Sequence, residues 1–209
     1  MKHIRKIVFL SILTFTYCTN PFSVRDVEEP GFGSDWVRYA PATSPDSVMY
    51  NFRLAIANKN VEEYMRTFVD PLKADAHQYR FVPDPYYTND FPTAWTLDDE
   101  RNFFSQLVQS DKQDYPKLRL DFLTPLVLTG ITPISVDDSV ESNNLEYTLQ
   151  VDYGDSSEVY TGIARFKLYH SKSAPPETWH IYYWQDNAVE QNHDKTWTYL
   201  KRFIFNPSF

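Results

Sequence analysis

The sequence predicts an α+β layer fold in which helices from the first half pack on a curved antiparallel sheet built from the second. Three observations carry that reading. Between Ser44 and Val108, apolar residues recur at helical spacing behind capping residues. From Lys117 onward the apolar period changes from about 3.6 to about 2. The length of 209 residues fits about one domain plus extras, so helices and strands belong to one core.

At the start of the chain, residues 1–17 read as an export signal: Lys2, Arg5 and Lys6 make a positive start, and Ile7 to Tyr17 carries no charge. That apolar run is about eleven residues, well short of the ~20 that a spanning helix needs. Cys18, the single cysteine, sits where the run ends. Its position resembles a bacterial lipoprotein signal, in which the Cys becomes the lipid-modified first residue. Phe15 and Tyr17 stand where an aliphatic and a small residue are usual. Ordinary cleavage nearby, leaving Cys18 removed or free, is the alternative. A lone thiol at the end of an apolar run favours lipidation, and several acyl chains on one residue anchor stably at about 0.8 kcal/mol per buried CH₂. Thr19 in the next position fits outer-membrane delivery, so the expected location is the cell envelope, on the outer membrane or the periplasmic face. Residues 18–43 then read as a lipid-attached tether, rich in turn formers and charges and without a sustained period.

Residues 44–209 form the expected domain. Ser44 caps a first helix, with Pro45 at its first position and Val48, Phe52, Ala55 and Ile56 on one stripe. Asn60 caps a second, with Val61, Tyr64, Met65 and Phe68 on a stripe that ends at Asp70-Pro71. Gln78 to Val82 reads as a short strand. Pro83, Pro85 and Pro92 then interrupt the chain repeatedly, and Tyr86, Tyr87, Phe91 and Trp95 in this loop either bind a ligand or, as the commoner arrangement, fold back onto the core. Thr96 caps a third helix whose stripe is Glu100, Phe103, Phe104, Leu107 and Val108, with Glu100 expected near its end. Leu118, Leu120 and Phe122 alternate with polar residues, and Leu145 to Tyr153 does the same, as a half-buried antiparallel strand should. Gly154 to Ser157 turns into Glu158–His170, with Tyr160, Gly162, Ala164, Phe166 and Leu168 inward. Thr178 to Asp186 is the last long strand, and an aromatic piece from Thr196 to Phe205 comes after it.

Composition excludes several classes. The net charge is −8, from 20 Lys and Arg against 28 Asp and Glu, and no basic block appears, so nucleic acid is not an expected partner. Loss of Lys2, Arg5 and Lys6 with the signal leaves the remainder more acidic still, which disfavours binding to anionic lipid by charge alone. One Cys rules out an intramolecular disulfide framework. His170, His180 and His193 lack metal-ligand spacing, and no HExxH, CxxC, GxGxxG, P-loop or GxSxG occurs, so neither metal nor cofactor is expected. Asp137-Asp138, Glu141 and Asn143-Asn144 read as a solvated polar hairpin loop without EF-hand spacing.

Four segments carry a family resemblance. They are Cys18-Thr19-Asn20-Pro21-Phe22, the Ser44-Pro45 helix with Asn51 and Ala55, the run Trp179-His180-Ile181-Tyr182-Tyr183-Trp184-Gln185-Asp186, and Trp197-Thr198-Tyr199-Leu200-Lys201. Together they resemble the NTF2-like (cystatin-like, SnoaL-type) superfamily, and within it bacterial lipoproteins of unassigned function. The resemblance spans most of residues 18–205 and includes no catalytic motif. It implies a curved sheet wrapped around a helix as a cone, and it implies that two copies can meet through their sheets as a homodimer. The segment from Pro83 to Trp95 departs from the pattern as an aromatic insertion able to cap or fill the cone.

Members of that superfamily include isomerases, dehydratases and epoxide hydrolases, which work through carboxylates or His residues projecting into the cone. Here the inward positions of the clearest strands are almost all apolar. Tyr147 and Tyr153 supply hydroxyls, and His180, Tyr182, Trp184 and Asp186 share one face of the last strand by counting. Tyr147, Tyr153, His180, Tyr182 and Trp184 are therefore the candidate pocket. His180 and Asp186 are six residues apart, ~20 Å along a strand, too far for a dyad. The favoured reading is a non-catalytic envelope lipoprotein whose domain binds a small apolar ligand or a protein partner. The alternative is a small-molecule enzyme of the isomerase or dehydratase type.

Overall fold

The computed structural model describes residues 37–73, 76–92, 94–109, 114, 116–130, 139–173 and 176–205. The signal, Cys18, the tether up to residue 36, and Asp137-Asp138 lie outside the described residues. Residues 37–43 lie against the body. Asn51 holds Ala40 through both backbone groups, at 2.8 and 2.7 Å, and Trp179 N–H donates to the Ala42 carbonyl.

Helix α1 (Pro45–Ala57) starts as its residues require. Ser44 accepts from Ser47 N–H, Ser47 reaches back to Ser44 N–H, and Pro45 occupies the first turn. In α2 (Val61–Arg66), Asn60 accepts from Glu63 N–H. This helix ends earlier than the apolar stripe suggests. Val69 N–H donates to Ile181 O and Ile181 N–H to Thr67 O, so the chain at Phe68 joins the sheet as a parallel bridge. Tertiary pairing with a strand more than a hundred positions away overrides local spacing. Helix α3 (Leu97–Val108) carries a reciprocal cap between Thr96 and Asp99. A fourth helix, α4 (Trp197–Phe205), is the last described element.

Among the described residues seven strands form one sheet: β1 (Arg80–Val82), β2 (Lys117–Phe122), β3 (Leu128–Gly130), β4 (Ser139–Ser142), β5 (Leu145–Asp152), β6 (Ser157–Ser171) and β7 (Thr178–Asn187). β6 is the spine. One of its edges takes β5 along its first half and β4 along its second, and the other takes β7. β2 extends the sheet beyond β5, β3 beyond β4, and β1 joins β7 in parallel as the last strand of that edge. The result is a curved, antiparallel-rich, unclosed sheet packed with helices, the α+β cone that the order of elements predicts.

Two irregularities shape it. Asn143-Asn144 is not the tip of a hairpin but a corner between β4 and β5. There Asn143 exchanges bonds with Val127, and the Ser142 hydroxyl accepts from Phe166 N–H. Glu141 pairs with Arg165 and Lys167 across the sheet. The second is a bulge. Lys167 faces Tyr183 while Leu168 faces Ile181, which leaves Tyr182 unmatched. An alternating count along β7 therefore loses phase: Ile181, Trp184 and Asp186 share the inner face with Leu168, Phe166 and Ala164, and His180 points to the other side.

The inner face meets Phe52 and Ile56 of α1, Tyr64 of α2, Phe103 and Phe104 of α3, and Trp197 and Leu200 of α4, all buried. Phe52 touches the rings of Tyr64, Phe68, Phe166, Trp184 and Trp197 at 5.4 to 6.4 Å. Gly162 is required where β6 passes Tyr147: a Cβ there would lie 2.5 Å from the Tyr147 hydroxyl oxygen and 2.8 Å from Asn187 O.

Candidate functional site

The interior contains two carboxylates and an ammonium, and of these the strand alternation reveals only Asp186. Glu100 projects from the first turn of α3 and is fully buried, not frayed at a helix end. Its Oε1 accepts from the Tyr64 hydroxyl at 2.6 Å. Its Oε2 accepts from the Tyr79 hydroxyl at 2.9 Å, the Trp95 indole at 2.8 Å and Lys201 Nζ at 2.6 Å. Lys201, from α4, has no exposed side-chain area either. Its ammonium sits in an aromatic cage, 3.7 Å from the Phe81 ring centre and 3.9 Å from that of Trp184, with Trp95 and Phe103 beyond. Burial lowers the Lys201 pKa to about 8 against the opposing pull of Glu100. Burial beside Glu100 raises Tyr64 and Tyr79 well above the ordinary phenol value, so both remain donors.

Asp186 forms the second centre. Its Oδ1 accepts from the Tyr147 hydroxyl at 2.8 Å, and its Oδ2 accepts from the N–H and hydroxyl of Thr198 at 2.6 and 2.7 Å. The Tyr147 oxygen in turn accepts from Trp197 N–H. A carboxylate and a phenol thus satisfy the first free amides of α4 and fix where that helix begins. Burial raises the Asp186 pKa to about 6, opposed by the bonds from Thr198 and Tyr147.

His180 and His193 lie outside this interior. The His180 Nδ1 lies 3.0 Å from the Phe68 carbonyl, which makes it the protonated nitrogen. Its Nε2 then accepts from Thr178 and Lys73, at 2.8 and 3.2 Å. Burial first, and Lys73 second, push its pKa down. His193 donates through Nδ1 to buried Asp84 at 2.9 Å and stacks on Tyr86. This His–carboxylate pair borders a cleft of about 440 Å³ lined by Tyr86, Gln191, Asn192 and Asp194, with no Ser, Thr or Cys nucleophile among them. Asp84 also accepts from the amides of Tyr86 and Ala188, so it ties two loops together.

The five sequence-chosen pocket residues separate. Tyr147 and Trp184 meet in the interior, both against Trp197 at 6.1 and 5.1 Å. Tyr153 is half-buried at the far end of β5. His180 and Tyr182 lie across the sheet from Asp186, where Tyr182 contacts the rings of His77 and Tyr169. The groups that the alternation missed, Glu100 and Lys201, had one signal: each is the charged residue on an otherwise apolar helical stripe, Phe103, Phe104 and Leu107 for one and Trp197 and Leu200 for the other. The aromatic segment does fold back, with Tyr87 and Trp95 buried and Tyr86 exposed.

No open hollow reaches the charged centres among the described residues. A groove of about 650 Å³ touches Tyr79, Phe81 and Trp95, and these same side chains contact Glu100 or Lys201. A wall one side chain thick separates the ion pair from water. No group of three or more His, Cys, Asp or Glu residues with metal-binding geometry occurs among the described residues.

No protein-family profile matches the chain, and no curated protein matches it. Solved structures do. The chain is similar to an NTF2-like protein of unknown function in nutrient uptake from Rhodospirillum rubrum, at 13% identity, TM-score 0.47, over 70% of this chain and 98% of that one. It is also similar to a candidate scytalone dehydratase from Novosphingobium aromaticivorans, at 9% identity, TM-score 0.47, over 69% and 80%. A CaMKII hub homology domain from Chlamydomonas reinhardtii matches at 12% identity, TM-score 0.46, over 68% and 96%. Each is a distant likeness of architecture, and none assigns an activity to this chain.

Proposed function

We propose that this chain is a non-catalytic, lipid-anchored protein of the bacterial cell envelope whose domain works as a binding module for a small apolar ligand or a protein partner. One observation carries the non-catalytic part. Glu100, Asp186 and Lys201 have no exposed area and spend their bonding capacity on one another's surroundings, Tyr64, Tyr79, Trp95, Tyr147 and Thr198. An isomerase or dehydratase needs an acid or base within hydrogen-bond reach of a substrate atom in an accessible pocket. Here aromatic side chains occupy that space, which leaves the outer grooves for binding. The charged start at Lys2, Arg5 and Lys6, the apolar run to Tyr17 and the lone Cys18 support the anchor.

Two measurements test this reading. Fractionation of the full chain is expected to place it with membranes and Cys18→Ser in the soluble fraction; equal partition of the two would contradict the anchor. The fluorescent probe 1-anilinonaphthalene-8-sulfonate, an anion whose rings seek apolar surface, is expected to give no saturable signal with the native interior. Tight uptake abolished by filling the interior would revive the enzyme reading.

A further inference from the structure

The binding-module reading leaves open where the module binds, and the sheet edge answers it; the inference rests on that reading. Among the described residues, β1 pairs with β7 on one side and with no strand on the other. Beside that edge runs the groove of about 650 Å³, whose opposite wall is built by Thr88, Asn89, Phe91, Pro92, Ala94 and Trp95. Its apolar lining includes Phe81, Phe91 and Trp95. Arg80 is the one charged residue that lines it among the described residues, it is exposed, and no described carboxylate pairs with it. No backbone bond joins this edge to the opposite wall among the described residues, so main-chain groups of β1 face the groove unpaired.

We propose that this groove takes an extended segment of a partner protein as a strand added to β1, with an acidic side chain of that segment on Arg80 and apolar side chains against Phe91 and Trp95. Charge selects the occupant. A lone cation in a groove that also presents Phe81, Phe91 and Trp95 complements an acidic, otherwise apolar segment. A second copy pairing edge to edge would instead bring two Arg80 cations into one groove. The edge is also guarded: β1 has three residues and Pro83 comes directly after it. Short edges ended by proline resist indiscriminate pairing, so recognition depends on the side chains that the groove accepts as well as on main-chain bonds.

The test uses the full chain in detergent with two fluorescein-labelled synthetic peptides of alternating valine and threonine, one with a central glutamate and one with a central lysine. Fluorescence anisotropy is expected to show saturable binding of the glutamate peptide, preferred about tenfold over the lysine peptide. Arg80→Glu, an exposed change checked by an unaltered urea midpoint, is expected to reverse that preference. N-methylation of alternate peptide amides is expected to abolish binding, and amide shifts are expected at Arg80, Phe81 and Val82. Equal binding of both peptides unaffected by Arg80→Glu, binding insensitive to N-methylation, shifts confined to other residues, or no binding at about millimolar peptide would each overturn the proposal. Those failures leave the binding-module reading standing, because that reading falls only on fractionation and probe uptake.

Discussion

Replacing Lys201 by Met removes the ammonium and leaves the rest of the Glu100 centre in place. Glu100 then keeps Tyr64, Tyr79 and Trp95 as neutral donors but loses its counter-ion, at zero exposure for both groups. Breaking one side of a buried pair costs about 3–5 kcal/mol. Met fills most of the lysine stem and makes sulfur–aromatic contacts with Phe81 and Trp184, so packing loss is small and the charge term dominates. For a domain of this size about 4 kcal/mol is a drop in Tm of roughly 10 °C. The assay is urea unfolding monitored by tryptophan fluorescence. The double variant Glu100→Gln with Lys201→Met removes both charges and is expected to be more stable than Lys201→Met alone, with a coupling of about 1–3 kcal/mol. A single variant within about 1 kcal/mol of wild type, or a double variant whose cost is the plain sum, would refute the reasoning.

The same contacts set further outcomes. Lys201 titrates near 8 in the folded chain against 10.5 in the unfolded one. Between those values the unfolded chain binds more protons, so wild type is expected to gain stability relative to Lys201→Met as pH rises through the window. Asp186 is shifted the other way, from 3.8 to about 6. Its folded form holds the extra proton, so wild type is expected to gain on Asp186→Asn as pH falls from 6 towards 4, by up to about 3 kcal/mol, in paired urea titrations. Gly162→Ala is expected to cost more than about 2 kcal/mol in thermal unfolding, since its methyl would collide with Tyr147 and the Asn187 carbonyl; a neutral result would show that the β5–β6 register is wrong. Phe52→Ala removes a ring with five aromatic neighbours and is expected to cost about 3–5 kcal/mol and to create an internal site for the same fluorescent probe.

Local chemistry made much of the fold legible. Ser44 with Pro45 and Thr96 with Asp99 mark helix starts because capping is a contact over three residues, visible in any sequence. The alternation from Leu145 to Val151 marks a strand because one face is buried. The end of α2 was illegible, since a sheet edge from Ile181 takes over the backbone at Thr67 to Val69. So was the bulge at Tyr182: nothing in Ile181-Tyr182-Tyr183 announces an extra residue, yet it puts His180 on the face opposite Trp184 and Asp186. Glu100 and Lys201 are 101 positions apart and come from different helices, so each looks like an isolated polar interruption until the fold joins them. The clearest strands alone suggest an almost entirely apolar lining. The charge that the cone does contain comes from α3, α4 and the end of β7.

The indole N–H of Trp95 reports most directly on whether the interior is closed, because it bonds to Glu100 from within the wall beside the groove. Native-state hydrogen exchange of that proton, measured across added urea, is expected to need global unfolding, with a free energy equal to that from the unfolding transition. Exchange that is fast and independent of urea would show water reaching Glu100 in the folded chain and would contradict the account.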